Sequence, residues 1–479
     1  MHLFKKINHI FDSKQQIVNL LITLFFIACV YPFSFNVGGQ GVSGNYLFVF
    51  FPLLYYLYSR QLNWPKLSTV FFLLLLTCIF LVAFLLQSEY MEYSIRRIAS
   101  FIIFMSIFAF MFVKIDFHMI SSIKYAIVIF SLYSSIFVLN RYIDLGGEEL
   151  ASHAKGQIGS TRIGFIYIMA LWIVFFLNPK SFFFFVLKHS AAIVIIIGLL
   201  LTYNRSSMFS LFFSTLVYLI TITFGCIKDG QTITMLLKKI FISVAYIITI
   251  VVLIGSLFPG TISDYKRYYS YIIPFEYTEM STQSDQTLTT QSDQTLTTQT
   301  GADLKTQFDN VMNNSESRIQ KIIGAIKIAN INSKNTATFQ GMNDCLVACS
   351  VYERIVNRNT SEGYRIYMVS KIKDFVFENP LTGSGFLGVW IMFDEIKGSA
   401  HSQYLDVLFR LGIVGFFFYL YIIFKILKFL YTKDKGLFLG FFGMLFYGFL
   451  HETFKLSQGA FIFAFLYAMY DQRETSSKR

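Results

Sequence analysis

Stretches of up to about twenty apolar residues recur along the chain outside residues 258–403, more than a water-soluble fold could bury. A helix crosses hydrocarbon with about 20 mostly apolar residues. Such segments lie near 17–32, 45–58, 67–86, 98–113, 122–139, 163–177, 184–202, 208–224, 240–257, 404–424, 437–450 and 456–470. About twelve spans are therefore expected, in an all-α polytopic membrane protein. The composition agrees: of 479 residues 55% are hydrophobic and only 14% charged, with a mean hydropathy of +0.55. Soluble domains carry about 25% charged residues. The first segment is followed by Tyr31, Pro32 and Phe33 rather than small residues, so it reads as a span and not as a cleaved leader.

Lys and Arg set the orientation, because cytoplasmic loops hold them in excess. With the N-terminus inside, alternation places 19 basic residues on the inner side, among them Lys5, Lys66, Lys124, Lys228 and Lys435. The short outer loops then hold seven: Arg96, Arg97, Arg141, Lys155, Arg162, Arg205 and Lys455. Both termini are expected in the cytoplasm. The net charge of +12 divides unevenly. Residues 258–403 carry 13 basic and 15 acidic groups, a balance of −2, which leaves +14 for the rest. The positive excess thus reports topology, and no nucleic-acid partner is expected.

Three regions follow: a transmembrane region of about nine spans over 1–257, a large, mainly helical outer loop over 258–403, and a C-terminal transmembrane region of about three spans with a cytoplasmic tail over 404–479. Inside the loop, QSDQTLTT occurs twice in tandem at 283–298, without the apolar content to build a core. Helical periodicity marks 305–330, through Ile319, Ile322, Ile323 and Ile326. It also marks 361–378, with Ser361 as N-cap and Pro380 as stop. There Met368, Val369, Ile372, Phe375 and Val376 form a stripe, and Arg365 shares their face. That cation either points at an anion or lays its stem along the stripe. Cys345 and Cys349, at i and i+4, permit either a disulfide or two thiols. No His near them suggests zinc.

The chain has no HExxH, no Walker A, no serine nucleophile elbow and no Asp-x-Asp pair. No metal and no cofactor is expected. What the outer face does hold is isolated arginines at span ends and His401, in Gly398-Ser-Ala-His-Ser-Gln-Tyr-Leu405, where the tenth span begins. Arg205, between two spans, is either an interfacial anchor or a ligand for a phosphate head group. A helix N-terminus disfavours imidazolium, so His401 is expected neutral and able to accept a proton. Read alone, it is a satisfied interfacial histidine, and another argument is needed to give it a catalytic role.

Three motifs together resemble the O-antigen polymerase and O-antigen ligase superfamily. One is His401-Ser-Gln-Tyr-Leu405 running into Leu411-Gly-Ile-Val-Gly415. Another is Arg365 before a helix that leads into Asn379-Pro-Leu-Thr-Gly-Ser-Gly-Phe386. The third is Asn204-Arg-Ser-Ser207 after a hydrophobic span. All lie on the expected outer face, in family order. Two positions depart from the pattern: Ser402 stands where Asn is common after the His, and Arg410 stands where an acid often precedes Leu-Gly. Asp406, four residues earlier, is placed to pair with Arg410. Gly159-Ser-Thr-Arg-Ile-Gly164 resembles the family's outer loop without its Asn-Pro-Asn run.

The resemblance implies a metal-independent glycosyltransferase of the bacterial inner membrane, with a periplasmic active site and an undecaprenyl-diphosphate-linked glycan as donor. Arg205 and Arg365 are then the candidates for binding the diphosphate, with Arg162 as a further one, and His401 the candidate catalytic base. A chain-length regulator protein is a partner the family allows. The leading reading is a polymerase that transfers the growing glycan, with inversion, to a hydroxyl of the next lipid-linked repeat unit. The alternatives are a ligase that delivers glycan to lipid A core and a lipid-linked oligosaccharide flippase. A flippase would more naturally show related halves and charges within its spans, whereas here the spans are nearly charge-free, with Asp406 and Arg410 together in one of them.

Overall fold

The computed structural model describes residues 34–37, 40–43, 65–112, 119–144, 163–202, 205–228, 361–393, 400–453 and 457–476, with single positions at 234 and 241. It divides into two units, Met1–Ile262 with Asn379–Arg479, and Ser263–Glu378. Helices dominate. Among the described residues five are long and apolar enough to cross a membrane: Leu67–Leu86, Ile120–Asp144, Phe182–Leu201, Ser206–Gly225 and Gln403–Lys433. Gly164–Phe175 and Lys435–Tyr447 are shorter apolar helices. Helices Ser94–Ser106 and Ser457–Ser476 fall on two further expected spans. The expected spans 17–32, 45–58 and 240–257 lie outside the described residues, as do the tandem repeat, the 305–330 helix, Cys345 and Cys349.

One element departs from the all-α expectation. Strands β1 (Ser34–Val37) and β2 (Gln40–Ser43) pair antiparallel, with Val37 opposite Gln40. Gly38 and Gly39 stand between them, the residue type that two-residue hairpin links demand.

We number the helices of the first unit that build its core: α1 (Leu67–Leu86), α2 (Ser94–Ser106), α3 (Met119–Asp144), α4 (Gly164–Phe175), α5 (Phe182–Leu201) and α6 (Arg205–Lys228). After them come α7 (Gln403–Lys433), α8 (Lys435–Tyr447) and α9 (Ser457–Ser476). Helix α4 is apolar on all sides and buried along most of its length, as a helix in the middle of a bundle must be. Against it lies α8, whose glycines make a close approach possible. A Cβ on Gly440 would meet Met169 Cα at 2.9 Å, and one on Gly443 would meet Ile168 Cγ2 at 2.7 Å. In hydrocarbon, where no hydrophobic force draws helices together, such small-residue contact supplies the packing. Polar side chains add to it: Trp172 Nε1 donates to Ser214 Oγ at 2.8 Å, and Ser134 and Tyr167 hydroxyls pair at 2.6 Å.

Ion pairs join helix ends that the charge pattern assigns to a common side. Lys66, before α1, meets Asp471 of α9 at 3.8 Å, and Lys124 of α3 meets Asp434, the N-cap of α8, at 2.7 Å. Arg141, one of the expected outer residues, lies in the last turn of α3, at the end opposite Lys124.

Candidate active site

Helix α7 is not continuous. Gly412 has φ +64° and ψ −170°, far from helical values. The break separates a short segment beginning at Gln403 from a long one beginning at Ile413. It also removes backbone hydrogen bonds in the middle of an apolar span, where water cannot replace them. The loop Asn379–Phe386 replaces them instead. Ser384 N–H donates to Phe409 O at 2.7 Å, and Ile413 N–H donates to Pro380 O at 2.7 Å. The two backbones touch so closely that side chains would not fit. A Cβ on Gly383 would stand 2.5 Å from both Gly412 N and Phe409 O. One on Gly412 would stand 2.6 Å from Leu381 O. The Asn-Pro-Leu-x-Gly-x-Gly and Leu-Gly-x-x-Gly motifs are therefore a single interlocked unit.

A buried arginine anchors that unit to α1. Arg97, 1% exposed, donates through Nε to Gly385 O at 3.1 Å. Its Nη2 reaches Ala83 O at 3.2 Å and Gln87 Oε1 at 3.0 Å, and Nη1 reaches Gln87 O at 3.5 Å. Gln87 Nε2 in turn donates to Gly383 O at 3.0 Å. Ala83 and Gln87 supply carbonyls at the C-terminal end of α1, where a cation is favoured. Sequence reasoning placed Arg97 in an outer loop. Instead it sits in the first turn of α2 and points inward, because a planar fork of donors can satisfy several carbonyls at once. An Arg97→Ala variant should lose about 3 kcal/mol of stability, since buried acceptors left bare cost about 1–3 kcal/mol each and do not add fully. Arg97→Lys should recover only part of it. Thermal melting of the detergent-purified variants checks both.

His401 precedes the short segment of α7 directly. Ser402 is the N-cap, and His401 itself has φ +52°, a left-handed conformation uncommon outside glycine. Its imidazole-bearing residue is half-buried. The turn around it is tied to the segment after α8. Gln403 N–H donates to Gly448 O at 2.7 Å and to His451 O at 3.2 Å, and Ser402 Oγ donates to Gly448 O at 3.4 Å. Ala400 N–H donates to Glu452 Oε1 at 2.8 Å. His451 stacks on Tyr447 with ring centroids 4.7 Å apart. Further along, Arg410 Nε lies 2.9 Å from both carboxylate oxygens of the buried Asp406, the pairing expected from their i, i+4 spacing.

Of the other residues singled out in the sequence, Arg205 occupies the first position of α6. Helix N-terminal amides there favour an anion. Arg162 lies outside the described residues. In the second unit, Arg365 belongs to a helix spanning Ser361–Glu378, which ends just before Asn379-Pro380 as expected. Its buried face runs through Tyr364, Met368, Ile372 and Phe375. Val369, assigned to the stripe, is 43% exposed. At 100° per residue it falls past the edge, and half-buried Arg365 sits at the margin between the two. Among the described residues no group of His, Cys, Asp and Glu side chains is arranged to hold a metal ion.

Glu452 is the site residue that sequence reasoning missed. Its signal was an acid beside a His at an outer span end, and nothing local linked it to a backbone amide 52 residues earlier.

Residues 190–420, a little under half of the chain, match a family model described as O-antigen ligase. Arg205, Arg365, His401 and the interlocked motifs all fall within that stretch. No curated protein and no solved structure matches the chain.

Proposed function

The chain belongs to the O-antigen polymerase and ligase superfamily, and on that premise we propose that it is a surface-polysaccharide polymerase. Members of the family are glycosyltransferase-like enzymes acting on lipid-linked polysaccharides. In our reading the growing glycan leaves undecaprenyl diphosphate and passes, with inversion, to a hydroxyl of the next lipid-linked repeat unit. The reaction takes place on the periplasmic face of the inner membrane, with both termini in the cytoplasm.

The chemistry sets two demands. As the anomeric C–O bond breaks, the departing diphosphate gains negative charge, which guanidinium groups neutralise bidentately without a metal. Arg205 and Arg365 take that role, and Arg162 is a third candidate. The attacking hydroxyl must lose its proton as the new glycosidic bond forms, and His401 accepts it. Breaking the anomeric bond to the lipid diphosphate, which leaves intact, drives the transfer, so no nucleotide is consumed. The observation that supports this reading most is the interlock of the two motifs, which gives His401 a rigid helix to stand on. Preorganised groups are what transfer without a metal requires.

The match to a model described as O-antigen ligase fits a second reading equally, transfer of finished glycan to lipid A core. One experiment separates them. The purified protein in lipid nanodiscs is given lipid-linked repeat units extracted from cells that lack this chain, with no gradient imposed. A ladder of longer lipid-linked glycans is expected. Transfer only on addition of lipid A core would establish the ligase, and no transfer with either acceptor would leave the flippase. Arg205→Ala and Arg365→Ala should each lower the ladder about 100-fold or more while the protein stays folded, since one lost transition-state donor costs about 10²–10³ in kcat.

A further inference from the structure

We infer that Glu452 is a positioning residue for His401, an inference that rests on the reading of His401 as the base. A non-glycine residue in a left-handed conformation costs of order 1–3 kcal/mol and persists only when its surroundings over-determine it. His401, at φ +52°, is held from both sides. On its C-terminal side the holders are backbone carbonyls, Gly448 O and His451 O, which accept from Gln403 N–H. These carbonyls belong to the backbone, so no side-chain chemistry at 448 or 451 is needed to supply them. On its N-terminal side the holder is a side chain: Glu452 Oε1 accepts from Ala400 N–H at 2.8 Å. Ala400 is itself buried, so this amide has little access to water as a substitute partner. A carboxylate–amide bond is among the stronger kinds, and its oxygen fixes the residue directly before the imidazole. Glu452 thereby sets where the base stands against the attacking hydroxyl, without touching the reacting atoms.

The test uses the full chain in nanodiscs and the same extracted lipid-linked repeat units, read as kcat and KM. Misplacement by about 1 Å can cost about 10²-fold in rate. Glu452→Ala is therefore expected to lower kcat about 10–100-fold with KM within about twofold. Glu452→Gln keeps an acceptor oxygen at the same reach and should stay within about threefold of wild type. Wild-type kcat in Glu452→Ala, or Glu452→Gln as impaired as Glu452→Ala, would overturn the inference. Should Glu452→Ala fail to accumulate folded, Glu452→Gln and Glu452→Asp decide. Gln above Asp supports an acceptor of the right length, and the reverse order shows that charge alone matters and overturns it. His401→Ala runs alongside. An inactive His401→Ala beside a wild-type Glu452→Ala removes this inference alone, whereas a fully active His401→Ala removes the base and the inference together.

Discussion

Replacing His401 with alanine should reduce glycan extension by about 10²–10⁴-fold, the range for losing a general base. The protein should remain folded and in the membrane. The turn around His401 is held through the backbone at Ala400 and Gln403 rather than through the imidazole alone, so folding should survive the change. Binding should survive as well. Diphosphate recognition is assigned to Arg205 and Arg365, so KM should move little while kcat falls, as expected when an interaction made in the transition state is removed. The assay is the nanodisc extension reaction at saturating lipid-linked repeats, with surface glycan length in complemented cells as the second readout. Wild-type chain length in His401→Ala cells would falsify the catalytic assignment.

The largest structural effect is expected at Gly412. With φ +64° and ψ −170° it occupies a region essentially reserved for glycine, so alanine there is strained by about 1–3 kcal/mol. The new methyl would also stand 2.6 Å from Leu381 O and 2.7 Å from Pro380 O, both backbone atoms that cannot turn aside. If the loop moves away, the Ile413 N–H and Phe409 O lose their partners, at about 1–3 kcal/mol each. A Gly412→Ala cost of at least about 3 kcal/mol is a large share of the roughly 5–15 kcal/mol that holds a typical protein folded. Folded yield after detergent extraction should collapse. Gly225→Ala is the control: a Cβ there meets nothing within 4 Å, so stability should hold or rise slightly. Normal folding of Gly412→Ala would mean that the interlock of the two motifs is not what holds the break in α7.

Much of the architecture was legible from local pattern. Apolar length foretold the helices at 67–86, 122–139, 184–202 and 208–224, because a span depends on its own residues and not on distant partners. Pro380 marked the end of the Arg365 helix for the same reason, and i, i+4 spacing foretold the Asp406–Arg410 pair. Where neighbours mattered, local reading fell short. Val369 looked like part of a buried stripe, yet the covered face is centred nearer Tyr364 and Met368. The 33–44 segment gave no strand signal strong enough to foresee the hairpin.

The site divides in the same way. Its motifs stand in the sequence as residues: a His before a span, an Arg before a helix, glycines at fixed offsets. What the glycines are for does not. Gly383 is small because it lies against the backbone of Gly412 and Phe409, and Gly412 because it lies against that of Leu381 and Pro380, a fact that exists only once the loop and the broken helix meet. Arg97 counted as one more outer cation until its guanidinium was found on Gly385 O, 288 residues away, and Glu452 carried no motif at all. Membrane class, span pattern and candidate chemistry were thus set by the sequence itself, since hydropathy, charge and spacing act over short stretches of chain. The inward turn of Arg97, the break at Gly412 and the clamp on His401 were decided by tertiary structure. In an apolar interior every backbone group must find a partner, and the nearest one in space is seldom the nearest in sequence.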